Sequence, residues 1–415
     1  NVTSPMDVIV VGAGPAGSIA ALVLTRAGIR VRLIDRAEFP RDKLCGDTLN
    51  PGALSILDRL DGQSRKLIEQ RALTIAGMTV TGPGGAQVSA DYPHGLRGAA
   101  IARRDLDQLL LEAAIAAGAE FEPGVAARGP VIADGAVTGV HVSRRGRSFI
   151  LPARVVIGAE GRHARLAFAL GLSRFVVSPK RWAFGAYFTG VEGLGERGEM
   201  HIRPDGYIGV APLPGGLANV CVVRELGDTR RGLKPPPYVP MTGRRSAGAS
   251  APATADAVIA GAIAADPMLR ARFAAARQVS PSTALGPLGI ESSAAGVPGL
   301  LLAGDAAGFI DPMTGDGLRF ALRGGELAAD AALCELQSGL PACHGLAAAR
   351  SNEFSRKWRL NRALRLMVGL PTAVALGAVI GPRWTAPIRL LIGLAGDVPL
   401  AMHDRALAFS QKGAA

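Results

Sequence analysis

The beginning of the chain alternates between apolar and helix-forming segments. Residues Val8–Val11 form a continuous run of β-branched residues, as expected of a strand that is buried on both faces. An alanine-rich segment follows and stops at Gly28, which favours a helix. A second predicted strand, Val31–Ile34, ends in Asp35. This order predicts a strand–helix–strand unit.

Two kinds of apolar pattern recur further along the chain. Residues 73–96 and 175–226 alternate between apolar and polar positions and carry turn signals, which predicts the strands of a second, antiparallel sheet. The runs Val155–Ile157 and Leu300–Ala303 are instead continuously apolar and end next to glycine, so we assign them to the first sheet.

Three glycines follow the first predicted strand at G-x-G-x-x-G spacing. Gly12 permits a tight strand-to-helix turn, Gly14 lets a diphosphate approach the backbone, and Gly17 lets the helix pack close to the strand. The helix N-terminus offers free N–H groups and a partial positive charge. Asp35 can accept hydrogen bonds from both ribose hydroxyls of an adenosine. The complete pattern predicts a dinucleotide-binding domain.

Composition narrows the class of protein. The chain has 415 residues, a formal net charge of +12, 48% hydrophobic residues and only 5% aromatic residues, as in an alanine- and glycine-rich α/β enzyme. The charge suits a phosphorylated cofactor or an anionic membrane, and no nucleic-acid-binding module accompanies it, so we expect no nucleic-acid partner. The four cysteines lack metal-ligand spacing, which predicts no metal site and a cytoplasmic protein.

Two later segments carry further candidate chemistry. Arg41 can meet cofactor phosphates, and Cys45 lies in a loop that can approach a flavin ring. Asp305 follows the Leu300–Ala303 strand, where it can bond ribitol hydroxyls. Residues 315–317 stand at the start of a long predicted helix. Their N–H groups can stabilise negative charge on a reduced flavin.

The C-terminal tail is basic over 356–365 and apolar over 366–380. The apolar run contains Pro371 and is shorter than the roughly 20 residues that span a bilayer. Two interpretations stay open. The tail either forms helices that pack over the domains, or makes a peripheral contact with the inner face of the membrane.

Five separated motifs resemble flavoproteins of the p-hydroxybenzoate-hydroxylase fold, and most closely the geranylgeranyl reductase family. They are VGAGPAG with Asp35, FPRDKLCGD, Arg103 ahead of LDQLLLEAA, GAEGRHA, and GDAAGFIDPMTGDG. The resemblance implies FAD as the cofactor and NADPH or NADH as a transient electron donor. It also implies that Cys45 lies near the flavin and the reacting double bond.

The resemblance and the motifs together define the candidate site. The cofactor-binding candidates are Gly12, Gly14, Pro15, Ala16, Gly17, Asp35, Arg36, Arg41, Cys45, Gly46, Arg103, Glu160, Gly161, Gly304, Asp305, Pro312, Gly315 and Gly317. The candidates close to the chemistry are Cys45 and the flavin backbone contacts of Gly315, Asp316 and Gly317. The candidates for the substrate wall are Trp182, Phe184, Tyr187 and Tyr207.

The implied fold is α/β with α+β elements. We expect a Rossmann-like FAD-binding domain with an inserted antiparallel-sheet substrate domain and a helical C-terminal tail. The predicted boundaries are 1–72, 99–172 and 280–345 for the discontinuous FAD-binding domain, 73–98 and 173–279 for the substrate domain, and 346–415 for the tail. We expect a monomer or a homodimer.

Two reactions stay open for a hydrophobic small-molecule substrate. The FPRDKLCGD segment and the tail favour reduction of a C=C bond in an isoprenoid or lipid-like molecule. The stretch Gly206–Pro212 lacks the tryptophan or phenylalanine members of the prenyl-reductase motif, which favours a monooxygenase that hydroxylates an aromatic or polyketide-type substrate with O2.

Overall fold

The computed structural model describes residues 6–43, 46–176, 181–225, 254–309, 315–368, 392–394 and 396. The helices are α1 Pro15–Arg26, α2 Pro51–Leu60, α3 Gly62–Arg71, α4 Arg103–Ala116, α5 Arg165–Ala169, α6 Ala255–Ala265, α7 Pro267–Arg272, α8 Gly317–Ser338 and α9 Cys343–Val368. The strands are β1 Met6–Val11, β2 Val31–Ile34, β3 Thr48–Leu49, β4 Leu73–Ile75, β5 Gly77–Thr81, β6 Gln87–Asp91, β7 Gly98–Ala100, β8 Glu120–Glu122, β9 Ala126–Ala133, β10 Ala136–Arg144, β11 Arg147–Gly158, β12 Ser173–Phe175, β13 Arg181–Thr189, β14 Arg197–Arg203, β15 Gly206–Leu213, β16 Leu217–Glu225, β17 Arg277–Gln278, β18 Thr283–Leu285, β19 Ile290–Ser292, β20 Gly296–Val297 and β21 Leu300–Leu302.

The predicted strand–helix–strand unit lies at the centre of the first sheet. Strand β1 pairs in parallel with β2 and with β11, and β21 continues the sheet beyond β11 in the order β20-β21-β11-β1-β2-β8. Val8–Val11 are buried, as the continuous apolar run predicts for a strand covered on both faces. Helices α1, α4 and α8 cover one face, while the β9–β10–β11 meander and α5 cover the other.

Small residues let α8 lie directly on α1. A β-carbon at Gly325 would lie 2.2 Å from the carbonyl oxygen of Ala16, so only glycine fits between the two helices. Gly304 lies at the same crossing, because its β-carbon would lie 2.9 Å from the Ala16 methyl group. This close packing brings the N-terminus of α8 and the Gly304 loop to the same edge of the sheet as the N-terminus of α1.

The second sheet has the strand order β17-β13-β16-β15-β14-β5-β6, with β18 beside β13. One face packs on α6 and α7 through residues such as Phe184, Phe188 and Val220. The opposite face turns toward the first sheet, where Tyr207 and Val223 pack with Leu288 and Phe309. The second sheet therefore covers the region just before residues 310–314.

The structure departs from the predicted arrangement at three points. The second sheet is not wholly antiparallel, because β5 and β14 pair in parallel. Strand β18 lies beyond the predicted boundary at residue 279 and still pairs with β13 of the second sheet. The short strands β3, β4 and β7 form a separate three-stranded sheet. These differences depend on pairing between distant segments, which a local pattern does not specify.

Helix α9 begins at Cys343, and most of the apolar run 366–380 lies outside the described residues. Across the helices that are described, none combines the length and apolar character needed to cross a membrane. The predicted lipid contact of the tail stays a prediction.

Candidate functional site

Gly12 and Gly17 fold the turn between β1 and α1. Gly12 has a φ of +102°. A β-carbon there would lie 2.4 Å from the carbonyl oxygen of Ala159, the residue that follows β11. A β-carbon at Gly17 would lie 1.7 Å from the carbonyl oxygen of Gly12. Both glycines are therefore required by the protein itself, whether or not a cofactor is bound.

Gly14 differs from the other two glycines of the motif because no described backbone atom crowds the position of its β-carbon. It precedes α1 with an ordinary φ of −75°, followed by Pro15 at the first helical position. The nearest atom to a β-carbon at Gly14 is Nη2 of Arg41, at 3.5 Å. The first turn of α1, from Pro15 to Gly17, thus presents its N-terminus to a space that a diphosphate can enter beside a guanidinium.

Asp35 lies at the end of β2 and is held beside this turn. Its carboxylate accepts hydrogen bonds from the backbone N–H groups of Ala13 and Ala37, both at 2.8 Å. Each carboxylate oxygen has two acceptor sites, so each retains one for a ribose hydroxyl. The neighbouring Arg36 is exposed. The arrangement suits the adenosine end of FAD.

Asp107, which the sequence analysis did not single out, anchors two of the arginines. Its fully buried carboxylate binds Nε and Nη2 of Arg103 at 2.7 and 2.8 Å, and lies 3.0 Å from Nη1 of Arg41. Burial opposes ionisation, but these cations hold the pKa of Asp107 below its usual range. The Arg-x-x-x-Asp spacing places both side chains on one face of α4, so this ion pair could have been predicted from the sequence.

The remaining charges of the site are Lys43, Arg162 and Asp305. Burial raises the pKa of Asp305, while Lys43, Arg103 and Arg162 oppose that rise. Burial lowers the pKa of Lys43, and Arg103 and Arg41 lower it further. With Asp107, four basic side chains face two carboxyl groups, which is a formal excess of two positive charges. A diphosphate carries the two negative charges that would balance them, so the cluster fits FAD.

Glu160 lies close to the start of α5. Its carboxylate accepts a hydrogen bond from the backbone N–H of Leu166 at 3.1 Å, at the start of α5. Burial raises the pKa of Glu160 to about 7. One oxygen of the Glu160 carboxylate is thus engaged at the start of α5, and a contact of Glu160 with the cofactor stays a prediction. The adjacent Gly161 lies at the pocket, since its β-carbon would lie 3.4 Å from Nζ of Lys43.

Asp47 joins the two sheets and was also missed from the sequence. Its fully buried carboxylate accepts hydrogen bonds from the backbone N–H of Arg103 at 3.0 Å, from the Asn219 amide, and from the Tyr187 hydroxyl. Burial raises the pKa of Asp47 to about 6. Asp47 follows Gly46 in the predicted flavin-proximal loop, whereas Cys45 lies outside the described residues.

The second glycine-rich segment ends at the N-terminus of α8. Pro312 lies outside the described residues, while Gly315 has a φ of +67° and α8 starts at Gly317. No described atom lies within 4 Å of a β-carbon at Gly315 or Gly317. The Asp316 side chain turns inward to Asn50 and Lys357.

The four candidates for the substrate wall do not share one face of the second sheet. Tyr187 bonds Asp47, and Tyr207 packs with Leu288, so both lie on the side of the FAD-binding domain. Phe184 packs under α6, and Trp182 packs against the same cluster and on Gly286. Because strand side chains alternate, we remove Trp182 and Phe184 from the substrate wall.

Known proteins identify the family that shares this arrangement. The sequence profile described as "FAD binding domain" matches residues 5–189. The digeranylgeranylglycerophospholipid reductase 1 of Methanopyrus kandleri is 30% identical over 346 residues, which are 79% of this chain and 80% of that protein. The chain belongs to the geranylgeranyl reductase family of FAD-dependent oxidoreductases. The menaquinone reductase of Mycobacterium tuberculosis is 29% identical, with 94% of this chain and 91% of that protein covered.

Solved structures of low sequence identity share the fold of this geranylgeranyl reductase family member. A geranylgeranyl bacteriochlorophyll reductase-like protein from Thermoplasma acidophilum superposes with a TM-score of 0.73 at 22% identity, covering 91% of each chain. A flavin-dependent brominase superposes with a TM-score of 0.77 at 18% identity, covering 99% of this chain and all of the other. The fold is thus common to flavoproteins with different reactions.

Proposed function

We propose that the protein reduces a C=C bond of a hydrophobic isoprenoid or lipid-like substrate, with electrons that come from NADPH or NADH. The observation that carries the proposal is the 30% identity with a digeranylgeranylglycerophospholipid reductase over 79% of the chain. FAD, when bound, carries the two electrons from the nicotinamide to the substrate.

The face of the second sheet that turns toward the FAD-binding domain supports a hydrophobic substrate. Ala183, Tyr207, Val223 and Leu288 form an apolar cluster on this face. Gly209 lies on β15 on the same side, and the nearest described atom to a β-carbon there is the carbonyl oxygen of Cys221, at 3.8 Å. Apolar side chains therefore dominate this side of the second sheet, and a hydrocarbon chain placed beside them would gain binding free energy from apolar contact.

The protein contributes to the reaction through binding and orientation. Arg41, Lys43 and Arg103 would hold the diphosphate, while Asp35 would hold the ribose. The carboxyl group of Asp47 accepts hydrogen bonds from Tyr187 on β13 and Asn219 on β16. These bonds attach the end of the loop after Arg41 to the second sheet. We assign the same loop the role of placing Cys45 near the reacting bond.

A second candidate is hydroxylation of an aromatic or polyketide-type substrate with O2. The feature that favours it is the segment Gly206–Pro212 on β15, which lacks the tryptophan or phenylalanine members of the prenyl-reductase motif.

One experiment separates the two reactions. The flavin-loaded protein is incubated with NADPH or NADH and with either a geranylgeranylated phospholipid or a prenylated quinone. The incubation is done with and without O2, and the masses of the products are measured by mass spectrometry. We expect a gain of two hydrogens for each reduced double bond, undiminished under anaerobic conditions. Gain of an oxygen atom that requires O2, with no hydrogenated product, would establish the second candidate instead.

A further inference from the structure

The Asp316 carboxylate lies at the N-terminus of α8 without capping it. Aspartate at this position usually accepts hydrogen bonds from the first N–H groups of its own helix. Within the described part of the chain, Asp316 makes no such side-chain bond. Its Oδ1 instead accepts a hydrogen bond from Nδ2 of Asn50 at 3.0 Å and lies 3.0 Å from Nζ of Lys357.

Both partners of Asp316 are themselves held by other elements. Asn50 caps α2, since its Oδ1 accepts a hydrogen bond from the N–H of Ala53 at 2.9 Å. Lys357, on α9, also donates a hydrogen bond to the carbonyl oxygen of Leu394. Asp316, Asn50 and Lys357 are 2%, 4% and 7% exposed. The carboxylate is therefore fixed from two sides in a position turned away from α8.

This placement affects the electrostatics of the α8 N-terminus. The Asp316 side chain leaves the N–H groups of the first turn to other acceptors, and the helix dipole favours an anion among them. Lys357 also compensates the carboxylate charge in a region from which water is largely excluded, where an uncompensated charge acts strongly. Burial, and after it the Asp316 carboxylate, raise the pKa of Tyr92.

We propose that Lys357 and Asn50 are positioning residues that hold the Asp316 carboxylate off the N-terminus of α8 and keep that N-terminus electropositive toward the flavin ring. The proposal rests on the FAD site described above, with the ring beside Gly315–Gly317. Reduction of the flavin adds negative charge to the ring, so an electropositive helix end favours the reduced form.

The test is the midpoint potential of the bound flavin, measured by equilibration with a reference dye. In Lys357→Met, the carboxylate loses its cation, and we expect the ratio of reduced to oxidised flavin at a fixed potential to fall about tenfold, which is about 30 mV for two electrons. In Asp316→Asn, the negative charge is removed while Lys357 remains, so the ratio should rise. The control Arg356→Met removes an exposed cation from the same helix and should leave the ratio unchanged.

Opposite shifts distinguish an electrostatic role from a purely structural one. Shifts of the same sign in Lys357→Met and Asp316→Asn, or no shift in either, would overturn the proposal. If Lys357→Met does not retain FAD, the Lys357→Met/Asp316→Asn double variant replaces it. Its ratio should match or exceed that of the wild type, and a ratio tenfold lower would refute the reasoning. The potential is measured without substrate, so failure of alkene reduction leaves this test intact.

Discussion

Replacing Gly14 by alanine should separate cofactor binding from folding. The β-carbon would lie 3.5 Å from Nη2 of Arg41, an ordinary contact distance, and the φ of −75° is open to alanine. We therefore expect the stability of the FAD-free protein to change by less than about 1 kcal/mol. The methyl group would, however, occupy the space in which a diphosphate approaches the backbone.

The expected loss of FAD affinity follows from the hydrogen bonds that this approach makes. A hydrogen bond to a charged group contributes about 1.5–3 kcal/mol. Losing one such bond corresponds to roughly 10- to 100-fold weaker FAD binding. Gly17→Ala provides the contrast, because its β-carbon would lie 1.7 Å from the carbonyl oxygen of Gly12. That variant should lose about 3 kcal/mol or more of stability, since backbone atoms must move apart.

Two measurements on the FAD-free protein test whether Gly14→Ala weakens FAD binding without destabilising the fold. Urea unfolding gives the stability, and titration with FAD, followed by flavin fluorescence, gives the affinity. Gly62→Ala in α3 is the matched control, because no described atom lies within 4 Å of its β-carbon. It should leave the FAD affinity unchanged and alter the stability by less than about 1 kcal/mol. A Gly14→Ala protein that binds FAD with wild-type affinity would refute the placement of the diphosphate beside Gly14.

The two buried carboxylates give further predictions. Asp107→Asn leaves Arg103 and Arg41 without their shared anion, so thermal unfolding should show a loss of about 3–5 kcal/mol without FAD. FAD should stabilise this variant more than the wild type, and an equal FAD-induced shift would argue against the charge balance. Burial raises the pKa of Asp47 to about 6, so the folded state prefers its protonated form. Its contribution is complete below the unfolded-state pKa of about 4 and is lost as the pH rises through about 6. Asp47→Asn should therefore gain about 2.5 kcal/mol relative to the wild type between pH 4 and pH 7. A flat difference in urea stability across this range would contradict that pKa.

Local signals in the sequence were sufficient for the adenosine half of the site. Gly12, Gly14 and Gly17 lie within one turn between a strand and a helix, and Asp35 ends the next strand. Their spacing alone specifies their relation, because the backbone between them has few conformations. The continuous apolar runs of β1 and β11 likewise identified strands covered on both faces.

The contacts between distant segments could not be read in the same way. Asp47 and Asn219 are separated by 172 positions, and Asn50 and Asp316 by 266, yet each pair meets in a hydrogen bond. Similarly, the aromatic pattern of β13 did not show that Trp182 and Phe184 turn toward α6 rather than toward the FAD-binding domain. A strand has two faces, and only the layers packed on them decide which one is the site.

The sequence by itself determined the family, the cofactor class and the position of the nucleotide-binding turn, because these depend on residues that are close in the chain. The tertiary structure alone decided which charges surround the cofactor, which carboxylate joins the two sheets, and which partners turn Asp316 away from α8. Those arrangements depend on burial and on the docking of α2, α4, α9 and the second sheet against one another. A buried charge acquires its partners, and therefore its pKa and its effect on a ligand, only when that packing is complete.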